Sequence, residues 1–413
     1  MEVAEDIVIV GGGVAGLATS LGLHRLGIRS IVLEASDNLR SAGHGLMTFT
    51  NAWRALDALG IGDLLRQHHK KLQGNVTNSA ISGLQTSELS FKAKGKCGDH
   101  EVRCLKRKLL LEALAKDLPT GTIRYSSKVV CIEESGFFKL LHLADGTILK
   151  TKVLVGCDGV NSLVANWLGF KKPAFTGRYA IRGCIDFKRS HGFEPKFLQF
   201  FGKGIRSGTI PIDDTTVYFF ITWTPSTREE ELERDPAKVK QLILSKLGKV
   251  PDEVRAIIES SELDGFISLP LRYRHPWELL WGNISKGNVC VAGDALHPLT
   301  PDMAQGGCSA LEDGVVLARC LGEALLKEPT GETKEKGEEE KDEYERIAMG
   351  LKKYARERAW RSIELISASY IAGIIQESQG KMMTFLRDNA LVGFLAGFLL
   401  KLADFDCGKL IIC

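Results

Sequence analysis

The sequence lacks an excess of either charge: 54 Lys and Arg stand against 51 Asp and Glu in 413 residues, a formal net charge of +3. Nothing in that balance marks a nucleic-acid partner. Ten cysteines are scattered along the chain, and none forms a CxxC pair or a Cys/His cluster at metal-ligand spacing. They read as reduced, mostly buried thiols, and no metal is expected. Long apolar runs are missing too. The most apolar late stretch, Leu391 to Leu400, is too short for a bilayer and is broken by Gly393 and Gly397. It reads as a packed C-terminal helix, with a membrane-surface helix as the alternative, and no stable membrane insertion is expected. The start, MEVAEDIVIV, has no basic region ahead of its first apolar run, so neither a signal nor a transit peptide fits and the cytoplasm is the expected compartment. Leu410 stands where a prenylation box needs cysteine.

What is present is ordinary globular material, 44% hydrophobic and 25% charged. Ile7 to Val10 is a β-branched run suited to a strand buried on both faces, and glycines follow at once. Apolar residues recur at helical spacing from Ala15 to Leu26, Gly27 stops the helix, and Ser30 to Leu33 reads as the next strand. Asn51 to Leu59 and Lys106 to Leu118 also read as helices. Between about 173 and 282 the character changes to aromatic and β-branched runs, such as Arg178 to Phe187, Lys196 to Phe201 and Thr215 to Thr224, which predict a largely antiparallel sheet. Val289 to Ala292 returns to a buried strand and Ser309 to Leu326 to a long helix. The Lys/Glu-rich run from Glu328 to Glu345 predicts a solvated loop or frayed helix.

The chemistry starts at the first turn. Gly11-Gly12-Gly13-Val14-Ala15-Gly16 has the GxGxxG spacing: one glycine for the tight turn, one for close approach of a pyrophosphate, one for helix packing. The phosphates would meet a helix N-terminus, whose free N–H groups and dipole favour an anion. Glu34, at the end of the next strand, would take both ribose hydroxyls and repel a 2′-phosphate, which leaves FAD or NAD. Two further strand-to-turn motifs lie at Asp158-Gly159 and at Gly293-Asp294, the second running through Pro301 and Ala304-Gln305-Gly306-Gly307 into a helix. His297, on that turn, reads as a packed, hydrogen-bonded histidine rather than a base.

These three motifs, in this order, resemble the single-component FAD-dependent aromatic hydroxylases, the group of p-hydroxybenzoate hydroxylase, salicylate hydroxylase, zeaxanthin epoxidase and kynurenine monooxygenase, and most closely its plant members. The resemblance spans nearly the whole chain. It implies an α/β fold: a Rossmann-type FAD-binding domain (1–75, 97–172 and 283–345), an interleaved, mainly antiparallel substrate sheet (76–96 and 173–282) and C-terminal helices (346–413). It implies FAD as cofactor, NADPH or NADH as electron donor, and hydroxylation of an aromatic or other electron-rich small molecule by O2 through a C4a-hydroperoxyflavin. A flavin epoxidase, an oxidative cyclase, or a flavin-binding protein without oxygenation are the alternatives, and the oligomeric state is open.

By the same resemblance the FAD set comprises Gly11, Gly13, Val14, Ala15, Gly16, Glu34, Ala35, Arg40, Arg107, Val130, Asp158, Gly159, Gly293, Asp294, Gln305, Gly306 and Gly307. Pro301, Ala304 and His44 are expected nearest the reacting ring. Many relatives have glycine where this chain has Ala304. Phe201, Thr209, Tyr218 and Phe220, on strands of the inserted sheet, are expected to line the substrate pocket.

Overall fold

A computed structural model describes residues 2–39, 45–96, 98–202, 204–225, 235–263, 268–326, 336–377 and 392–410. Arg40 and His44 lie outside the described residues.

Eight strands form the first sheet among these residues. Glu2–Val10 lies at its centre, paired in parallel with Ile31–Leu33 on one side and Ile148–Gly156 on the other. Val289–Val291 adds in parallel to Ile148–Gly156. Ile7 to Val10 and Val289 to Val291 are buried throughout, as continuous β-branched runs between two layers must be. Helix Val14–Arg25 covers this sheet and packs on helix Gly306–Leu325 through small residues. A methyl built on Gly314 would stand 2.6 Å from the Ala18 Cβ, and one on Gly22 2.7 Å from that of Ala318. The helices therefore meet almost backbone to backbone, which fixes where both of their N-termini point.

The second sheet runs in the order Leu269–Tyr273, Ala174–Asp186, Thr216–Trp223, Ile205–Pro211, Lys196–Gly202, Gly74–Ser79 and Gln85–Ser90. Its pairs are antiparallel except Lys196–Gly202 with Gly74–Ser79. Alternation gives it two distinct faces. Ile181, Phe200, Ile205, Val217, Phe219 and Ile221 pack beneath helices Pro236–Lys246 and Asp252–Ser260. The opposite face looks toward the first sheet.

Helix Lys336–Glu377 runs unbroken for 42 residues, so the charged run is regular helix from Lys336 onward, and the domain boundary expected at 345 falls inside it. Its first turns are held by the Lys152–Glu343 ion pair and by Tyr344 against Phe137. The boundary expected at 75 likewise falls inside strand Gly74–Ser79. The C-terminal helix Val392–Leu402 packs down, with Leu400 and Leu402 buried. No helix among the described residues is long and apolar enough to cross a membrane.

The long helix delivers two guanidinium groups to two buried carboxylates. Arg358 meets Glu312 at 2.8 Å and Asp313 at 2.5 Å, and Arg361 meets Glu312 at 2.9 Å. Burial pushes the Asp313 carboxyl up, but His297 and Arg358 outweigh it and hold it at about 2. An unfolded aspartate ionises near ~4, so this stabilisation is present above that pH and is lost as pH falls toward 2. Arg358→Ala takes the one guanidinium that reaches both carboxylates, leaving Glu312 to Arg361 and Asp313 to His297, and is expected to cost about 3–5 kcal/mol, read as a lower urea midpoint at pH 7. A loss under about 1 kcal/mol would show that the cluster is not structural in this way.

Candidate functional site

At the end of the central strand, Gly11 adopts φ +107°, and its N–H donates to the Leu33 carbonyl at 2.8 Å. A side chain there would overlap the Cys157 carbonyl, and one on Gly16 would overlap the carbonyl of Gly11. Gly13 has open space where a side chain would be, directly ahead of the first helical turn. The helix N-terminus thus has no side-chain cap and open space before it, which suits a pyrophosphate. Glu34 is buried beside it. Its Oε2 accepts from Gly12 N–H and its Oε1 from Ser36 N–H, each at 2.9 Å. Ala35 is exposed just beyond. Val130 is exposed on strand Val129–Ser135, a few residues past Ser127, whose N–H donates to the Glu34 carbonyl.

The two later turns lie against this cradle. The Asp158 carboxylate is used locally: it accepts from Ser162 Oγ and from the N–H groups of Leu163 and Val164, while Gly159 has open space beside it. Gly293, at φ +61°, would crowd Ala15 if it carried a side chain, and its N–H donates to Asp313 Oδ2 at 2.7 Å. His297 Nε2 meets the same oxygen at 2.6 Å in full burial, the structural role expected of it. Asp294 remains exposed.

A short turn, Pro301–Met303, then leads to Ala304 at φ +51° and ψ +32°. This is the left-handed region, where a Cβ is strained. Gln305 is buried and its Oε1 accepts from Asn51 Nδ2 at 2.9 Å. Gly306 and Gly307 open the long helix, and Leu46 fills the space beside Gly307.

One cavity of about 360 Å³ joins these parts to the second sheet. Gly13, Val14, Ala15, Arg107, Gly159, Gly293, Asp294, Pro301, Ala304, Gly306 and Gly307 line it on one side. Phe201, Tyr218 and Phe220 line it on the other. Thr209 does not join them. Strand parity sets Arg206 and Ile210 toward the cavity and Thr209 away from it, on the face shared with its cross-strand partner Leu198.

Several wall residues had not been singled out. Arg182 faces the cavity and makes no ion pair among the described residues. Arg206 lies over the Phe220 ring at 4.8 Å and donates to Gln199 Oε1, whose amide donates on to Asn75 Oδ1 at 2.8 Å. Asp302, in the Pro301–Met303 turn, receives Arg178 at 2.6 Å and Arg206 at 3.2 Å. Burial opposes its charge, but the two guanidinium groups hold the carboxyl below the usual range. Gln376 and Leu399 close the cavity from the C-terminal helices. Burial pushes the Tyr218 phenol up to about 12, so its hydroxyl keeps its proton.

Residues 4–344 match the family model described as an FAD binding domain. Over 411 residues the chain is 54% identical to Monooxygenase 2 of Arabidopsis thaliana, covering 99% of each. The chain belongs to the FAD-dependent aromatic hydroxylase family. Monooxygenase 1 of the same plant is 35% identical over 408 residues, covering 98% of this chain and 99% of that one. Klebsiella pneumoniae HpxO complexed with FAD and uric acid shares the fold, with a TM-score of 0.79 at 20% identity over 99% of this chain and 98% of that one. This hydroxylase-family chain is accordingly an FAD-dependent monooxygenase, and its glycine cradle fits the cofactor.

Two substitutions probe that fit. Gly11→Ala forces a methyl into the Cys157 carbonyl, and the purified protein is expected to lose its flavin absorbance; full flavin content would contradict the cradle. Ala304→Gly removes the strain of a left-handed alanine and should raise stability by up to ~1 kcal/mol with flavin retained. A fall in thermal midpoint would show that this methyl contributes packing that outweighs its strain.

Proposed function

We propose that this flavoprotein uses NADH or NADPH and O2 to hydroxylate an aromatic, electron-rich small molecule bearing a negative charge. The single observation that carries this is the continuity of the cavity: the glycine cradle and the aromatic wall of the second sheet line the same space. FAD supplies the redox chemistry, taking electrons from the reduced nicotinamide and activating dioxygen. The chain's own residues do the rest.

The Gly11 to Gly16 turn and the Val14–Arg25 helix would bind the pyrophosphate, with Glu34 on the adenosine ribose. Arg107 and Asp294 project into the same space and would hold the remaining polar groups of the cofactor. The N–H groups at Gly306 and Gly307 begin a 20-residue helix, so they suit negative charge on the ring side of the loop. Pro301 and Ala304 would form the edge against which the ring rests.

Phe197, Phe201 and Phe220 offer faces and edges for an aromatic substrate. Arg206 is committed to Asp302 and Gln199, whereas Arg182 has no carboxylate partner among the described residues. A substrate anion would supply that counter-charge, with the protonated Tyr218 hydroxyl as a second donor. The same polar wall argues against a hydrocarbon terpenoid, whose binding would desolvate Arg182 without return. Gln376 and Leu399, on the cavity wall, would limit water around the reacting atoms.

The test is a screen of phenolic, indolic and terpenoid metabolites for accelerated NADH or NADPH oxidation with a product one oxygen heavier. Reduction that no ligand accelerates, or products lacking the added oxygen, would sink the oxygenase reading. With a productive acid in hand, Arg182→Met should raise KM roughly ten- to a hundredfold while flavin content stays unchanged. An unaltered KM would remove Arg182 from substrate recognition.

A further inference from the structure

Far along the chain from the glycine cradle, one helical turn turns its apolar side chains outward. Trp281 is 79% exposed, Trp277 53% and Leu280 50%. Their i, i+3, i+4 spacing puts all three on one side of the turn formed by Glu278–Trp281.

The turn is anchored rigidly. Leu279 is buried beneath it, Gly282 packs on the Phe170 ring, and Trp277 stacks on His275 at 4.3 Å. Buried Arg274 donates to the carbonyls of Leu296, Ala295 and Lys171 and pairs with Glu278 at 3.2 Å. The indoles are thus held out in the solvent by a built support, which a soluble surface has no need of.

The segments that carry the turn are basic. Lys171 and Lys172 are exposed on the segment that Arg274 holds, and exposed Arg272 donates to the Pro173 carbonyl at 3.3 Å. Between Phe170 and Pro173, and between Leu271 and Gly282, Glu278 is the sole acidic residue, and Arg274 neutralises it.

We infer that this tryptophan knuckle docks on the surface of an anionic lipid bilayer. Indole rings favour the headgroup level, where an apolar body and a polar N–H are both satisfied, and flanking lysines and arginines are drawn to anionic headgroups. No spanning helix is needed for such attachment. A second copy of this chain is the poorer occupant, because a two-fold contact through this patch would bring Lys171, Lys172 and Arg272 against the same cations of the other copy.

The test is co-sedimentation of the FAD-loaded full chain with phosphatidylcholine vesicles, with or without phosphatidylserine, alongside tryptophan emission and light scattering. Binding to the phosphatidylserine vesicles only, with a blue shift, is expected. Trp277→Ala/Trp281→Ala should abolish both signals, and Lys171→Glu/Lys172→Glu should weaken binding on the order of tenfold or more. Retained flavin absorbance verifies that each variant is folded. Absence of vesicle binding overturns the inference, and so does binding that survives both double variants. A dimer that forms without vesicles and is lost in Trp277→Ala/Trp281→Ala would overturn it in favour of self-association.

Discussion

Asp302 has no access to solvent, yet the loop that carries it depends on its charge. Arg178 and Arg206 come from different strands of the second sheet and converge on this one carboxylate. A lone buried ion would cost several kcal/mol, so the loop and the sheet are stable together in the arrangement that pairs these three groups. Arg206 extends the constraint. It fixes Gln199 and, through it, Asn75, while its guanidinium lies against Phe220. The orientation of the aromatic cavity wall and the position of the loop that carries Asp302 therefore follow from the same interaction.

The other end of the loop is tied by a similar device. Asp313 holds Gly293 N–H and His297, Glu312 holds Asn51, and Asn51 in turn holds Gln305. Arg358 and Arg361 neutralise those two carboxylates from the long helix. The segment is thus braced from both sides, which suits the charge-stabilising role proposed for its backbone donors. Ala304 carries its strained conformation inside this brace, where the surroundings leave the backbone little choice.

The cradle was legible in the sequence because its requirements are local. Gly11, Gly13 and Gly16 are specified by spacing alone, and Glu34 by its distance along the next strand. The second sheet was legible as a sheet but only partly as a wall. Phe201, Tyr218 and Phe220 face the cavity and Thr209 does not, because parity is decided by which face the two short helices cover, and that is a tertiary fact. Arg182 and Arg206 left a signal that could have been read: an arginine in an aromatic strand, two residues or a cross-strand step from cavity phenylalanines. Asp302 stood in plain view between Pro301 and Ala304, but its partners come from about a hundred residues away. Gln376 and Leu399 left no such trace, since only the return of the C-terminal helices brings them to the cavity.

Cofactor and substrate are proposed to share one cavity braced by Asp302. That proposal is tested most directly by titrating the FAD-loaded protein with hydroxybenzoates and related aromatic acids while recording the flavin absorption spectrum. Saturable perturbation of the flavin bands by at least one such acid, lost in Phe220→Ala with flavin still bound, is the predicted result. An acid that binds by calorimetry yet leaves the flavin spectrum unchanged would contradict it, because the ligand would then lie outside the cavity that holds the ring.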